Sequence, residues 1–279
     1  MTGTAPSSES MPDAFYRADG DTFVATALTR GPWDARLQHG GPPSALLVRA
    51  FERYEGGDAF AVVRFTVHYL RAVPIGAVTI DVEPVHLGRT SQRLAATLSV
   101  DGRAVMQAQA MRVLRRPLDL PPSPDADAGV DTGDAAWPDP EALEPVGLSF
   151  FPFDVAYHRA VDVRFATGAW GDRAVRVWAR TTVPLVDGET TSPRQQTAVL
   201  TDAQSGIAVP LSPFAFGFPN PEMTVAFART PVGPWLGMDI RSTAGPDGVG
   251  FAQSRLADAD GDVGGASQTV IVTPHKPRG

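Results

Sequence analysis

Asp202 lies in the segment AVLTDAQSGIAV, an otherwise apolar helical stretch with Leu200, Ala203, Ile207 and Ala208 around it. Desolvation there is expected to raise the pKa of its carboxyl toward a value useful for taking a proton from water. An exposed helical Asp is the plainer alternative. Gln268 lies in GGASQTVIV, where strand alternation puts Gln268, Val270 and Val272 on one face and Ser267, Thr269 and Ile271 on the other. A Gln among inward valines needs hydrogen-bond partners, and a held water is one; an edge strand with Gln toward solvent is the other reading. Asn220, the only Asn in the chain, precedes Pro221, and Asn-Pro is also a turn signal. His39-Gly40-Gly41 opens a helix-like segment. The unpaired N–H groups of a helix's first turn are electropositive, and glycines let a ligand carbonyl approach them closely. A tight turn before a helix would look the same, and His39 either caps a pocket or simply packs. Hydrolysis needs such parts: an attacking water, an acceptor for its proton and donors for an oxyanion.

These residues need a scaffold, and the chain supplies the same one twice. Segments rich in Val, Thr, Phe and Tyr predict strands near 22–28, 60–73, 77–86, 91–100 and 103–114, with a helix from Pro42 to Arg53 whose prolines suit a first turn. From 115 to 145 the sequence turns to Pro, Asp, Ala and Gly, which bury too little apolar surface to pack, and this reads as a linker. Strands are predicted again near 155–167 and 173–184, then a helix near 193–205, then strands near 222–229, 236–243, 249–259 and 264–273.

The halves also share residues. FTVHYLRAVPIG from Phe65 lies on MTVAFARTPVG from Met223 at a shift of 158 residues (66 to 224). Asp101-Gly102 matches Asp260-Gly261 and Gln109 matches Gln268 at a shift of 159 (109 to 268), which implies a one-residue indel. The expected domains are an N-terminal half over 1–114, the linker over 115–145 and a C-terminal half over 146–279. One helix and a run of antiparallel strands per half imply an α+β fold, with a curved sheet wrapped around each helix. Pairing the two sheets edge to edge would hide two edges that otherwise invite aggregation.

Composition narrows the function classes. At 43% hydrophobic and 20% charged residues the chain belongs among soluble globular proteins. A net charge of -7 argues against a nucleic-acid surface. Lys276 is the only lysine, which removes a Schiff-base or P-loop lysine from the folded body. With no cysteine there is no disulfide, no thiolate nucleophile and no Cys-bound zinc. No secretory leader and no run of about 18 apolar residues stands out, so a cytoplasmic location away from the membrane is the expectation. Motifs for serine hydrolases, P-loop proteins and dinucleotide enzymes are missing, and no cofactor or metal is expected.

HGGPPSALLVRAFE, VHYLRAVPIG, PNPEMTVAFAR and VGGASQTVIV, in this order and spacing, resemble the acyl-CoA thioesterase II family, whose members are tandem double hotdogs. The resemblance covers most of the chain. It implies an acyl-CoA thioesterase of lipid metabolism that splits acyl-CoA, or another small thioester, with a water held by three side chains of the second half. Matched by position, these are Asp202 on the helix, Gln268 on the last strand and, counted back from Arg229, Asn220. The better-known form has Thr at the middle position, so Thr224 stands as the fallback. Gln109 would be the first-half counterpart of Gln268, while the first helix shows no acid around Ser44 and Ala45 to match Asp202. The second half is therefore the expected active one.

Two rivals remain open: a non-catalytic acyl-CoA-binding protein, and an enoyl-CoA hydratase of hotdog type. The hydratase would want an Asp-His pair at the helix start, yet no acid follows His39 within six residues. Phe214, Phe216 and Phe218 suit either an acyl tunnel wall or a plain core. A dimer or higher homo-oligomer stays open.

Overall fold

Alternating apolar positions leave each strand with one face that must be covered, and two helices cover it. In this computed structural model, which describes residues 12–119, 136–147 and 153–275, the first half runs β1 (Tyr16–Asp19), β2 (Thr22–Ala25), α1 (Gly41–Arg53), β3 (Phe60–Tyr69), β4 (Ala77–Leu87), β5 (Ser91–Val100) and β6 (Arg103–Leu114). The second runs β7 (Val161–Thr167), β8 (Ala174–Thr181), α2 (Pro193–Thr201), α3 (Gln204–Ile207), β9 (Phe216–Gly217), β10 (Glu222–Phe227), β11 (Leu236–Ala244), β12 (Val249–Asp258), β13 (Gly261–Ile271) and β14 (Thr273–Pro274). The expected helix over 193–205 is thus split after Thr201, where the Ala203 N–H turns back to Leu200 O and tightens the last turn. The short strands β1, β9 and β14, too brief for a periodic signal, were not expected.

Twelve strands form one antiparallel sheet in the order β1-β2-β4-β5-β6-β3-β10-β13-β12-β11-β8-β7. The order reads the same from either end once β3 is equated with β10 and β6 with β13, as a duplicated hotdog demands. β3 and β10 join the halves, with Thr66 opposite Thr224, Val67 opposite Met223 and Phe65 opposite Val225. The Thr66 and Thr224 hydroxyls meet at 2.9 Å, so the pseudo-two-fold axis passes between two equivalent threonines. One apolar cluster, from Phe15 to Ala266, fills the space between sheet and helices in both halves.

Strand pairing corrects the expected register of the repeat. Thr66 pairs with Gln109 as Thr224 pairs with Ser267. Gln109 is therefore the counterpart of Ser267, and Gln268 that of Ala110. The β5–β6 turn is Asp101-Gly102 and the β12–β13 turn is Ala259-Asp260, so the shift of 158 (102 to 260) runs through the hairpin with no indel. Both hairpins carry a bulge at the same place, beside Val105 and Val263. Matching the two Asp-Gly pairs slipped the comparison by one residue, and a one-residue slip moves every side chain to the other face. Gln109 is exposed, whereas Gln268 is fully buried.

Of the stretch read as a linker, 120–135 lies outside the described residues. Its last part packs on the second half: Trp137 lies tilted against Trp178 with ring centroids 4.8 Å apart, and Glu141 pairs with Arg164 and Arg180. No helix among the described residues is long and apolar enough to cross a membrane.

The two helices lie antiparallel against each other. At one end Gly41 faces Val199, and at the other Glu52 reaches Ser192 and Gln195, which form the capping box of α2. A Cβ on Gly41 would come to 2.2 Å from the Val199 carbonyl oxygen, which as helix backbone cannot swing away. Gly41→Ala should therefore destabilise the fold by about 2–3 kcal/mol, the size of an overpacked core. Urea unfolding of the two proteins measures it, and an unchanged midpoint would show that the helices can part at no cost.

Candidate active site

The antiparallel apposition brings the first turn of α1 to the last turn of α2, and Asp202, the C-cap of α2, lies in that junction. Its carboxylate is 6% exposed and receives groups from both halves. Oδ1 accepts from the Tyr69 hydroxyl at 2.8 Å and from Asn220 Nδ2 at 2.9 Å. Oδ2 lies 3.0 Å from His39 Nδ1. The Asp202 backbone oxygen accepts from Gln268 Nε2 at 3.0 Å. Asp202, Asn220, Gln268 and His39, picked from four separate strings of sequence, are in one cluster.

His39 has two neighbours for one atom, because its Nδ1 also lies 3.2 Å from the Gly41 N–H. A carboxylate requires a donor, so the proton sits on Nδ1 and the Gly41 N–H does not donate to the ring. Stacking on Tyr157, with centroids 3.8 Å apart, fixes the imidazole plane.

The carboxyl was expected to titrate high, and it does not. Burial is the largest single influence and pushes its pKa up. The electrostatic pull and hydrogen bond of His39, with the hydrogen bonds from Asn220 and Tyr69, together outweigh it and leave Asp202 below the ordinary carboxylate range. Burial pushes the Tyr69 hydroxyl well up, and the Asp202 charge adds to that, so Tyr69 stays a neutral donor.

The glycines serve the protein's own packing. A Cβ on Gly40 would come within 2.8 Å of both Asp202 Oδ2 and Tyr69 Cε1, and one on Gly41 would strike α2. On the side where a Cβ would stand, this backbone is met by the Asp202 carboxylate and by α2. Pro42 and Pro43 moreover bring no N–H, and Ser44 N–H is spent on Gly40 O, so Gly40 and Gly41 hold the only spare donors of the first turn.

Thr224, the fallback for the middle position, is elsewhere. Met223 and Val225 of β10 point at the helices, so Thr224 points away from Asp202 to the outer face of the sheet, where it helps line an open groove of about 670 Å³. The three phenylalanines divide: Phe218 is buried with Val209, Ala252 and Val270, Phe216 packs against the same cluster, and Phe214 is 77% exposed beside Trp170. They do not form a single wall. The sequence reading gave Tyr69 and Ser44 no role at the site; the available signal was that Tyr69 carries a hydroxyl where its repeat partner Phe227 has none.

The opposite end of the helix pair shows what duplication left behind. Glu52, in the last turn of α1, lies at the end of the helix pair opposite Asp202, so an acid does stand on that helix, away from Ser44. It accepts from Ser192 Oγ at 2.8 Å and Gln195 Nε2 at 2.8 Å and so caps α2. There Phe227 stands for Tyr69 and Ala110 for Gln268, so the hydroxyl and amide that meet Glu52 come from the start of α2 and not from the matching strands. Among the described residues, no group of three or more His, Cys, Asp or Glu could hold a metal ion.

Residues 29–113 match the family of the acyl-CoA thioesterase N-terminal domain, and residues 126–272 match that of its C-terminal domain. A comparison with curated proteins gives no match. Among solved structures, the chain is similar to a conserved protein with hot dog fold from Alicyclobacillus acidocaldarius, at 19% identity and TM-score 0.68, covering 95% of this chain and 97% of that one. It is similar to a tesB protein of Mycobacterium avium subspecies paratuberculosis at 17% identity and TM-score 0.64, covering 93% and 96%. An acyl-CoA thioesterase II of Mycobacterium marinum aligns at 14% identity and TM-score 0.62, covering 93% and 96%. At such identities the structures speak for the fold.

The lowered pKa of Asp202 has a consequence for stability. Its stabilisation is present above the unfolded-chain value of about 3.9 and is lost as pH falls through the lower folded value. Asp202→Asn should therefore lose stability less steeply than the parent as pH drops from about 5 to 2, because one carboxylate that must be protonated is gone. Urea midpoints across that range test this, and parallel curves would mean that Asp202 is not held ionised.

Proposed function

Starting from the premise that the chain belongs to the acyl-CoA thioesterase family, we propose that it hydrolyses acyl-CoA to the free acid and CoA with a water held at Asp202, Asn220 and Gln268. The observation that carries this is the hydrogen-bond capacity left at the junction. A carboxylate offers about four acceptor positions. Tyr69 and Asn220 fill two on Oδ1 and His39 one on Oδ2, which leaves one on Oδ2 for a water proton. Gln268 spends its Nε2 on the Asp202 backbone, while its buried Oε1 has no partner and offers a second acceptor. A water has two protons to place, and these are two acceptors that need them.

In this reading the water attacks the thioester carbonyl as its proton passes to Asp202. The oxyanion is met by the Gly40 and Gly41 N–H groups at the start of α1, and as the tetrahedral intermediate collapses the proton leaves Asp202 for the departing sulfur. A carboxylate held below its ordinary range is a weak base. Orientation of the water, which Asn220 assists by fixing Oδ1, therefore carries much of the rate.

A second reading draws on the His39–Asp202 contact. The acid that the sequence lacked beside His39 arrives from the other half, so an acid and an imidazole face one another at a helix start, as addition of water to an enoyl thioester requires.

Thiol trapping over a panel of acyl-CoAs, without added metal or nucleotide, should show release of CoA. Asp202→Asn should lower turnover on the order of a hundredfold or more, as removal of a general base does. Gln268→Ala should also lower it, and Gln109→Ala, exposed on the other face, should leave it nearly intact. Tight acyl-CoA binding without thiol release would mark a binding protein, and loss of enoyl absorbance without thiol release a hydratase.

A further inference from the structure

Ser44, Tyr69 and Asp202 form a line of oxygens that runs from the first half into the junction. Ser44 Oγ lies 2.7 Å from Gly40 O and 2.9 Å from the Tyr69 hydroxyl, which in turn lies 2.8 Å from Asp202 Oδ1. Three contacts thus share the two hydroxyl protons of Ser44 and Tyr69, so the line can be ordered in two directions. With Asp202 ionised, Tyr69 donates to the carboxylate. With Asp202 protonated, its new O–H donates to Tyr69, Tyr69 donates to Ser44, and Ser44 donates to Gly40 O; every proton again has an acceptor.

We propose that Tyr69, backed by Ser44, is a positioning residue that stabilises Asp202 in both of its charge states by reversing the direction of this hydroxyl line. This rests on the reading of Asp202 as the group that takes the water's proton. A base that must accept a proton and then give it up needs an environment that serves both states, and a fixed donor would serve only the ionised one. Among the described residues no hydroxyl line of this kind stands at the Glu52 end, where Phe227 replaces Tyr69. The other titratable groups facing the cluster are His39 before α1, Tyr157 and His158 from the segment before β7, and Glu222 at the start of β10. Tyr69 acts on Asp202 alongside these, and it differs from His39 and Asn220 in having an acceptor behind it.

The two hydroxyls should shift Asp202 in opposite directions. Tyr69→Phe removes a charge-assisted donor to the carboxylate, so the titration of Asp202 should move up by about one pH unit or more. Ser44→Ala leaves that donor in place but strands the Tyr69 proton when Asp202 is protonated, so the titration should move down, with turnover reduced. The measurement is the carbon-13 NMR titration of the Asp202 carboxyl in the intact protein, assigned with Asp202→Asn, together with the acid limb of kcat/KM for thiol release. An unshifted Asp202 in folded Tyr69→Phe, or an unshifted or raised one in Ser44→Ala, overturns the proposal; if Tyr69→Phe does not fold, the direction and the loss of turnover in Ser44→Ala decide it. Should the parent protein release no thiol, the hydrolase reading fails, while the NMR titration still decides whether the line exists.

Discussion

Everything at the junction depends on how closely two helices approach. Gly41 lies against the Val199 carbonyl at a distance that admits no side chain, and this contact sets the first turn of α1 beside the last turn of α2. Helix ends are where backbone groups lack partners, the N-terminus being electropositive and the C-terminus electronegative. Placing the two ends together lets each offset the other. It also makes room for one acid between them, since Gly40, lacking a Cβ, leaves space for the Asp202 carboxylate.

That acid illustrates how competing influences settle a charge. Burial alone pushes Asp202 toward its neutral form, as the apolar helix around it suggests. Three donors from three different segments reverse the outcome, and two of them, His39 and Tyr69, come from the half that carries no Asp202. The candidate site therefore belongs to neither half. Either half alone would hold an incomplete set: donors with no acid, or an acid with too few donors. Fusion into one chain keeps the two in fixed proportion and in register across the β3–β10 seam.

Duplication also shows which features are structural and which are particular to one end. The seam threonines, the hairpin bulges and the strand order recur in both halves, as the shared sheet requires. Tyr69, Asn220 and Gln268 have no functional equivalents at the Glu52 end, where the acid is consumed in capping α2. An acid between two helix ends thus has two uses in this molecule. Bound by the capping box it only holds the helices together; ringed by a hydroxyl, an amide and an imidazole, it keeps one acceptor position open.

The sequence by itself determined the repeated strand and helix pattern, since hydrophobic periodicity is local and survives twofold duplication. It also determined that Gln268 shares a strand face with Val270 and Val272, because alternation along one strand needs no partner, while the burial of that face came from the structure. Asp202, Asn220 and His39 could be singled out by residue type and by family resemblance. Distances between them could not, as they lie far apart along the chain. Register across strands was misjudged by one residue, because similar turn residues are a weaker guide than paired backbones, and Gln109 was consequently matched to the wrong face. The charge of Asp202 and the part played by Tyr69 were decided only by tertiary structure. Both arise from side chains of the first half that meet the carboxylate after the helices pack, and interactions between distant segments leave no periodic trace in either segment.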